Sequence, residues 1–270
     1  MALSAMSRLS GHGDAAETES GAYLEVARVC RAAHAAFARR DAHALRTLLS
    51  PHWHVKSLGD SATALTVTAR DQFLETIERA APVSEPGEVS GVQLCFGQLA
   101  IVRTEHWALA QSSIHTLLKD GARGWTLIGE ARLHPAHARR AARFDPALAA
   151  PEALAVLDRY YRAVTDGEPA PLEDIFDTGW HMKNHELGEI VCEDKAAFIK
   201  RIEPGPLPGY SDNRQIADVQ VIADQIAYVR VDRPSTPSTT IFVLFRIGGR
   251  WVVSDKVWAD GRIGAAATVN

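Results

Sequence analysis

Apolar and polar residues follow the same succession of patterns twice along the chain. Near the start, Val26, Cys30 and Phe37 recur at helical spacing, and apolar residues do so again across 154–164. Each long helix precedes a shorter one, a strand of alternating polarity, a third helix and a run of strands. This order predicts an α+β fold in which a curved, mostly antiparallel sheet wraps the long helix and leaves a cavity at one end.

The elements that follow each long helix have similar predicted bounds in both halves. Asp71 and Asp194 are expected near the N-caps of the third helices. The remaining helices and strands are predicted over 41–49, 71–80, 91–96, 98–105, 110–119 and 124–132 in the first half, and over 170–176, 195–203, 216–223, 225–232, 239–247 and 250–258 in the second.

The chain repeats itself at an interval of 127 residues. The tetrapeptide "WHVK" at Trp53 returns as "WHMK" at Trp180, and "GVQLCFGQLAIVR" (91–103) pairs at the same interval with "DVQVIADQIAYVR" (218–230). One register across several segments indicates a structural unit that is present twice.

The repeat divides the chain into two predicted homologous domains. They cover 21–133 and 151–263, and a linker rich in alanine, arginine and proline joins them over 134–150. The ends, 1–20 and 264–270, are expected to be flexible tails.

Composition narrows the possible partners. The chain is 46% apolar with a formal net charge of −4, and it has neither a long basic run nor a continuous apolar stretch of membrane-spanning length. We therefore expect no nucleic-acid partner, no membrane association and a cytoplasmic location. The three cysteines have no metal-binding spacing and are expected to be reduced thiols.

The order of elements and the closing segment "GGRWVVSDKVW" resemble the nuclear transport factor 2-like superfamily, which includes SnoaL-like polyketide cyclases and ketosteroid isomerase. The second copy, from "YYRAVTDGE" onward, is similar to the small bacterial family labelled "putative lumazine-binding". The resemblance implies two tandem cone-shaped domains, each with about three helices on a curved sheet. It also implies that the two copies pack through their outer sheet faces as an internal pseudo-dimer.

The resemblance to ketosteroid isomerase can be followed residue by residue. Tyr160 and Gly167 match that enzyme's first-helix tyrosine and the glycine after it, but its catalytic aspartate falls on Asn184. The corresponding positions of the first copy are Ala33 and Ser57. Because an amide cannot accept a proton from carbon, steroid-type isomerisation is disfavoured in both copies.

The resemblance to ketosteroid isomerase implies that Asn184 points into the cavity, and strand alternation then predicts which other side chains face each cavity. In the second copy Trp180, Met182 and Asn184 are expected to point inward, and in the first copy Trp53 and Ser57. The histidine and lysine of both "HxK" pairs would then face the seam, the surface between the two copies. The tryptophans are accordingly candidates for ligand contacts.

Asp255 and Tyr160 are the predicted catalytic pair in the second copy, which is expected to have the more polar cavity. Strand alternation places Asp255 and Trp251 on the same face of the last strand, and the catalytic role requires that this face point into the cavity. If the face points outward, the carboxylate would instead pair with a lysine such as Lys183. The first copy has Gly129 at this position.

Several histidines and one glutamate are candidate ligand contacts rather than metal ligands. His185 and Glu186 are expected at the mouth of the second cavity, and His34 in the first. On one strand His181 and His185 would stand about 13 Å apart, which is too far for one ion. No metal site and no cofactor are predicted.

The predicted function is binding of a small, partly apolar or aromatic metabolite, chiefly in the C-terminal cavity. If the protein is an enzyme, a tyrosine, an amide and one carboxylate suit cofactor-independent dehydration, isomerisation or cyclisation. The alternative is a non-catalytic interaction or scaffolding protein with degenerate pockets. Further homo-dimerisation is left open.

Overall fold

The computed structural model describes residues 13–59, 62–83, 85–106, 109, 111–121, 123–133, 146–186, 189–207, 213–233, 236 and 238–260. The first part of the predicted N-terminal tail, most of the predicted linker and the tail predicted at 264–270 lie outside these ranges.

The N-terminal unit consists of helices that pack on one six-stranded sheet. Its elements are α1 (Gly13–Arg39), α2 (Ala42–Leu48), β1 (His54–Leu58), β2 (Leu65–Ala69), α3 (Arg70–Arg79), β3 (Glu88–Cys95), β4 (Leu99–His106), β5 (Gln111–Asp120) and β6 (Gly124–Leu133).

The C-terminal unit repeats this order of elements. They are α4 (Pro146–Asp166), α5 (Ala170–Ile175), β7 (Phe176–Glu186), β8 (Glu189–Asp194), α6 (Lys195–Ile202), β9 (Gln215–Ile222), β10 (Ile226–Arg233), β11 (Ser238–Ile247) and β12 (Arg250–Asp260).

The two sheets have the same topology. Their strand orders are β2-β1-β6-β5-β4-β3 and β8-β7-β12-β11-β10-β9. Within each sheet one pair is parallel, β1 with β6 and β7 with β12, and the other neighbours are antiparallel. The predicted fold class, α+β with two tandem domains, is therefore confirmed.

Local sequence accounts for the turns and caps that repeat between the units. The β3–β4 turn places Phe96 and Gly97 at φ 51° and 64°, and the β9–β10 turn places Ala223 and Asp224 at 52° and 55°. Positive φ at both central positions is the geometry that suits a two-residue hairpin. Asp194 caps α6 by accepting a hydrogen bond from the Ala197 amide at 2.8 Å, as predicted.

Two features of the elements differ from the prediction. β2 and β8, which precede the third helix of each unit, were not predicted as separate strands. Ala69 takes the N-cap position of α3 without a side-chain hydrogen bond, and Asp71 lies in the first turn instead. There the negative charge of Asp71 interacts favourably with the positive N-terminal end of the α3 dipole.

Both units contribute to one apolar cluster at the seam. The outer faces of the two sheets supply its buried residues: Leu58, Cys95, Leu99, Ile101, Ile114, Leu118, Ile128, Ala131 and Leu133 from the N-terminal unit, and Ile222, Ile226, Tyr228, Ile241, Val243, Phe245, Val257 and Ala259 from the C-terminal unit. Burial of this many apolar side chains favours the paired arrangement, as the hydrophobic effect scales with buried area.

Each unit also has an interior cluster between its helices and the inner face of its sheet. Among the described residues, no helix combines the length and apolar character that a membrane span needs.

Candidate functional site

A cavity opens between α1, the sheet and α3 of the N-terminal unit. Its enclosed volume is about 50 Å³, and about 520 Å³ of free space is present when the open solvent at its mouth is included. Trp53 and Phe73 form an aromatic part of its wall, with ring centroids 4.8 Å apart. Opposite this apolar wall lie polar side chains, among them His34, His106 and His115. The mixture of an aromatic wall and convergent polar groups is typical of small-molecule sites.

Two imidazoles meet in this cavity. His34 Nε2 on α1 lies 3.2 Å from His115 Nε2 on β5, and His115 Nε2 lies 2.9 Å from the Thr104 hydroxyl. Gly87 makes room for His34, since a Cβ at that position would fall 2.1 Å from His34 Nδ1. Burial lowers the pKa of His34 and lowers the pKa of His115 to about 4, so both rings are neutral at pH 7.

A buried carboxylate accompanies the imidazole pair. Burial alone would raise the pKa of Glu130, but the charge and hydrogen bond of Arg132, with the hydroxyl of Ser113, hold it at about 2. Glu130 Oε1 accepts from Arg132 Nε and from Ser113 Oγ, both at 2.9 Å. The negative charge of Glu130 favours the protonated forms of His34 and His115, although burial outweighs it in both rings.

The equivalent space in the C-terminal unit is filled by aromatic rings. Tyr160, predicted as a catalytic residue, is fully buried, with ring centroids 5.1 Å from Tyr161 and 5.1 Å from Phe242. Trp180 stacks on Phe176 at 4.1 Å. Aromatic rings thus pack at positions equivalent to those that line the N-terminal cavity, while the greater polarity expected of the C-terminal cavity stays a prediction.

The repeat explains which side chains open one cavity and close the other. At an interval of 127 residues His34 corresponds to Tyr161, and His115 corresponds to Phe242. The smaller imidazoles leave space where the larger rings pack. The 127-residue interval between "WHVK" and "WHMK" already gives this register, so comparison of the residues at these positions could have predicted the open cavity.

Asp255 faces the seam rather than the C-terminal interior, which corrects the inward orientation on which its catalytic role depended. On β12 Asp255 pairs with Val243 while Val253 pairs with Leu244, so Ser254 forms a β-bulge. A bulge inserts one residue and reverses the alternation beyond it. Tyr160 and Asp255 consequently lie on opposite faces of the sheet.

The residue after Asp255 turns to the interior. Lys256 Nζ lies 5.5 Å from the ring centroids of both Tyr160 and Phe198. The corresponding residue of the N-terminal unit is Glu130, after a matching bulge at Ile128 on β6. The two interiors therefore contain opposite charges at equivalent positions.

The carboxylate of Asp255 bridges lysines from both units. Lys56 Nζ lies 2.9 Å from Oδ2 and Lys183 Nζ lies 3.2 Å from Oδ1, with both lysine side chains only 1% exposed. Lys56 also donates to the Ser254 carbonyl at 2.6 Å. Although burial opposes ionisation, the two ammonium groups hold the pKa of Asp255 well below its usual range. This pairing is the alternative that the sequence left open.

Both "HxK" pairs lie at the seam, as strand alternation predicted. The ring centroids of His54 and His181 are 4.0 Å apart. The pKa of His54 is lowered to about 2, mainly by burial and to a smaller extent by the charge of Lys183. The pKa of His181 is lowered to about 4, mainly by burial and to a smaller extent by the charge of Lys56. Nearby, burial raises the pKa of Asp177 to about 6.

The remaining residues that were predicted to contact a ligand lie in different parts of the structure. Trp53 and His34 line the N-terminal cavity, whereas Ser57 is half-buried on β1 and lies outside the described lining of that cavity. Met182 packs in the C-terminal interior. Asn184 is buried and donates to Glu186, which is exposed, at 3.3 Å, and His185 is half-buried on the same strand.

Comparison with known protein families finds a match for the C-terminal unit. The family model described as "Putative lumazine-binding" matches residues 149–259, which confirms the predicted resemblance for that unit. No curated protein matches the chain.

Three solved structures of similar proteins each cover less than half of this chain. A nuclear transport factor 2-like protein of unknown function from Silicibacter pomeroyi is 24% identical over 42% of this chain and 95% of its own, with a TM-score of 0.37. One from Shewanella baltica is 16% identical over 43% and 96%, also with a TM-score of 0.37. One from Methylobacillus flagellatus is 16% identical over 41% and 90%, with a TM-score of 0.34.

Proposed function

We propose that the N-terminal unit binds a small, partly aromatic metabolite in its cavity. The observation that carries the proposal concerns His106 and His115, which border the cavity and have buried ring nitrogens without hydrogen-bond partners among the described residues; Nδ1 of His34 faces Gly87 instead. Buried polar groups in proteins are almost always satisfied. A ligand with hydrogen-bonding groups would satisfy these nitrogens while its ring packed against Trp53.

The proposal moves the ligand from the C-terminal cavity, where the sequence suggested it, to the N-terminal one. Tyr160 is packed against Tyr161 and Phe242 in the C-terminal interior, and Asp255 is engaged by two lysines at the seam. The C-terminal unit then serves to hold the N-terminal unit through the seam.

We further propose that His115, or its neighbour His34, acts as a general base on the bound molecule. A neutral imidazole can accept a proton from a carbon next to a carbonyl group, and the carboxylate of Glu130 would stabilise the resulting positive charge. No cofactor is needed for such a step. The reaction class is isomerisation, dehydration or cyclisation of a small carbonyl compound.

Binding is tested by native mass spectrometry and thermal shift on the full chain. The probes are lumazine, which the family label suggests, and a panel of aromatic and polyketide-like carbonyl metabolites. At least one probe is expected to raise the melting temperature of the wild type. His115→Phe, which introduces the side chain present at the equivalent position of the other unit, is expected to fill the cavity and abolish that shift.

Tyr160→Phe is the matched control in the packed unit, and it should leave the ligand-induced shift unchanged. If Tyr160→Phe removes the shift and His115→Phe preserves it, the ligand occupies the C-terminal unit and the proposal is wrong. If no probe shifts the wild type, the scaffolding alternative gains support over ligand binding.

Proton transfer is tested separately, by deuterium incorporation into a bound probe in D2O, followed by NMR. Because the pKa of His115 is about 4, exchange should be nearly constant from pH 8 to about 5 and fall as the pH approaches 4. Binding without exchange would leave a ligand-binding protein without this catalytic step.

The cytoplasmic location and the further pairing of two chains both stay predictions. The three cysteines are free thiols, which suits the predicted cytoplasmic location. Pairing of two chains through a further surface remains a prediction for measurement of the solution mass.

A further inference from the structure

We propose that the seam binds one divalent transition-metal ion through His54, His181 and Asp255. Each of these residues offers one ligand atom, and the three atoms lie within 4.8 Å of one another. Zinc bonds to nitrogen and oxygen of about 2.0–2.2 Å place neighbouring ligands somewhat closer than this, so small side-chain rotations would complete the site. The proposal is independent of the proposed function, since it concerns the opposite face of each sheet.

Unsatisfied nitrogens give the cluster a chemical reason to bind an ion. His54 Nε2 and His181 Nδ1 are buried and have no hydrogen-bond partner within the part of the chain that the structure describes. His54 is 8% exposed. An imidazole nitrogen that carries no proton has a lone pair, and this is the form of histidine that ligates metals.

The donor set selects the kind of ion. Two imidazole nitrogens and one carboxylate oxygen suit zinc, cobalt, nickel or iron(II), whereas calcium and magnesium prefer sites made of oxygen. Three protein ligands also leave a further coordination position for water. Asp255 and His181 are only partly buried, which provides a route for the ion.

The two lysines oppose the ion and set how tightly it binds. Lys56 and the Ser254 hydroxyl approach Oδ2 of Asp255, and Lys183 approaches Oδ1; because a carboxylate has about four lone-pair positions, one remains on Oδ1 for a metal. Their positive charges repel a divalent cation in this buried setting. Removal of one lysine charge should therefore strengthen metal binding, while a purely structural ion pair would give no metal binding with or without it.

The site can form only once in the chain. His54 comes from the N-terminal unit and His181 and Asp255 from the C-terminal unit, so an ion would link the two. At the position equivalent to Asp255 the N-terminal unit has Gly129, which supplies no ligand. We therefore expect one ion per chain.

The test uses the full chain freed of metal by chelation. Zinc(II) is titrated by calorimetry and cobalt(II) by visible absorption, whose intensity reports low-coordinate nitrogen and oxygen ligation. One ion per chain is expected. His54→Gln and His181→Gln should each weaken binding at least about 10-fold, and Lys183→Met should tighten it about 10-fold. Circular dichroism checks that each variant is folded.

Matched controls separate the seam from other imidazoles. His185→Gln changes a half-buried histidine on the same strand, and His115→Phe breaks the imidazole pair of the cavity; neither should alter binding. Absence of binding to both the wild type and Lys183→Met would overturn the proposal. Binding that survives both seam substitutions but is lost in His115→Phe would also overturn it, by placing the ion in the cavity.

Discussion

Replacement of Asp255 by asparagine should be among the most destabilising conservative changes at the seam. The amide has nearly the same volume as the carboxylate but no charge. Its oxygen can accept from Lys56 or Lys183, and its NH2 group would then face the other ammonium. Both lysines are 1% exposed, so water can replace the lost counterion only in part.

The magnitude follows from the burial of the charges. Removal of one partner from a buried ion pair costs about 3–5 kcal/mol, because the remaining charge stays desolvated. The side chain of Asp255 is 15% exposed, which admits some solvent and places the expected loss near the lower end, about 3 kcal/mol. This exceeds the effect of most surface substitutions several-fold.

Urea unfolding followed by tryptophan fluorescence and circular dichroism measures this loss, with chelator present so that no metal contributes. Asp71→Asn is the matched control: its carboxylate is 66% exposed and contacts Arg46 and Arg70, so the expected change is within about 0.5 kcal/mol. A loss below about 1 kcal/mol for Asp255→Asn, or one no larger than that of the control, would refute the argument that buried lysines depend on this carboxylate.

Other predictions concern the interiors and one turn. The pKa of Glu130 is about 2 in the folded protein and 4.5 ordinarily, so its stabilising contribution is present above pH 4.5 and is lost as the pH falls toward 2. In the Glu130→Gln variant, the free energy of unfolding should therefore change by about 3 kcal/mol less over this pH range, as measured by unfolding at a series of acidic pH values. Trp180→Ala should cost about 3–5 kcal/mol in urea unfolding, and Trp53→Ala less, because one side of Trp53 already borders a cavity. Gly167→Ala should cost more than Gly248→Ala in thermal unfolding: both glycines have positive φ, but only at 167 would a Cβ fall 2.6 Å from facing backbone.

Strand alternation was enough to predict much of the seam. The period of two placed Trp180 and Met182 inside and sent His181 and Lys183 outward, and the structure agrees on β7. The repeat then implied that equivalent residues of the two copies meet. Local pattern sufficed here because β7 keeps its alternation between Trp180 and Lys183.

The position of Asp255 could not be predicted in the same way. The bulge at Ser254 arises from how β12 pairs with β11, and no glycine or other local signal in "WVVSDKVW" marks it. One inserted residue exchanged the faces of Asp255 and Lys256. The open cavity was missed for a different reason, since it depends on side-chain volumes such as that of Phe242, which strand and helix periodicity do not measure.

The charges at the seam explain why unlike copies pair within one chain. Two N-terminal units packed in this way would bury two copies of Lys56 against two of Gly129, with no carboxylate from these positions. The actual arrangement places Asp255 on one side and Gly129 on the other, where a Cβ would lie 3.4 Å from Lys183 Nζ. Glycine therefore leaves room for the lysine that Asp255 attracts. Pairing of an N-terminal unit with a C-terminal one satisfies both lysines with one carboxylate, while two N-terminal units would bury unpaired charge at a cost of several kcal/mol per ion. In the duplicated chain the C-terminal unit thus supplies the counterion, Asp255, and the N-terminal unit contains the cavity.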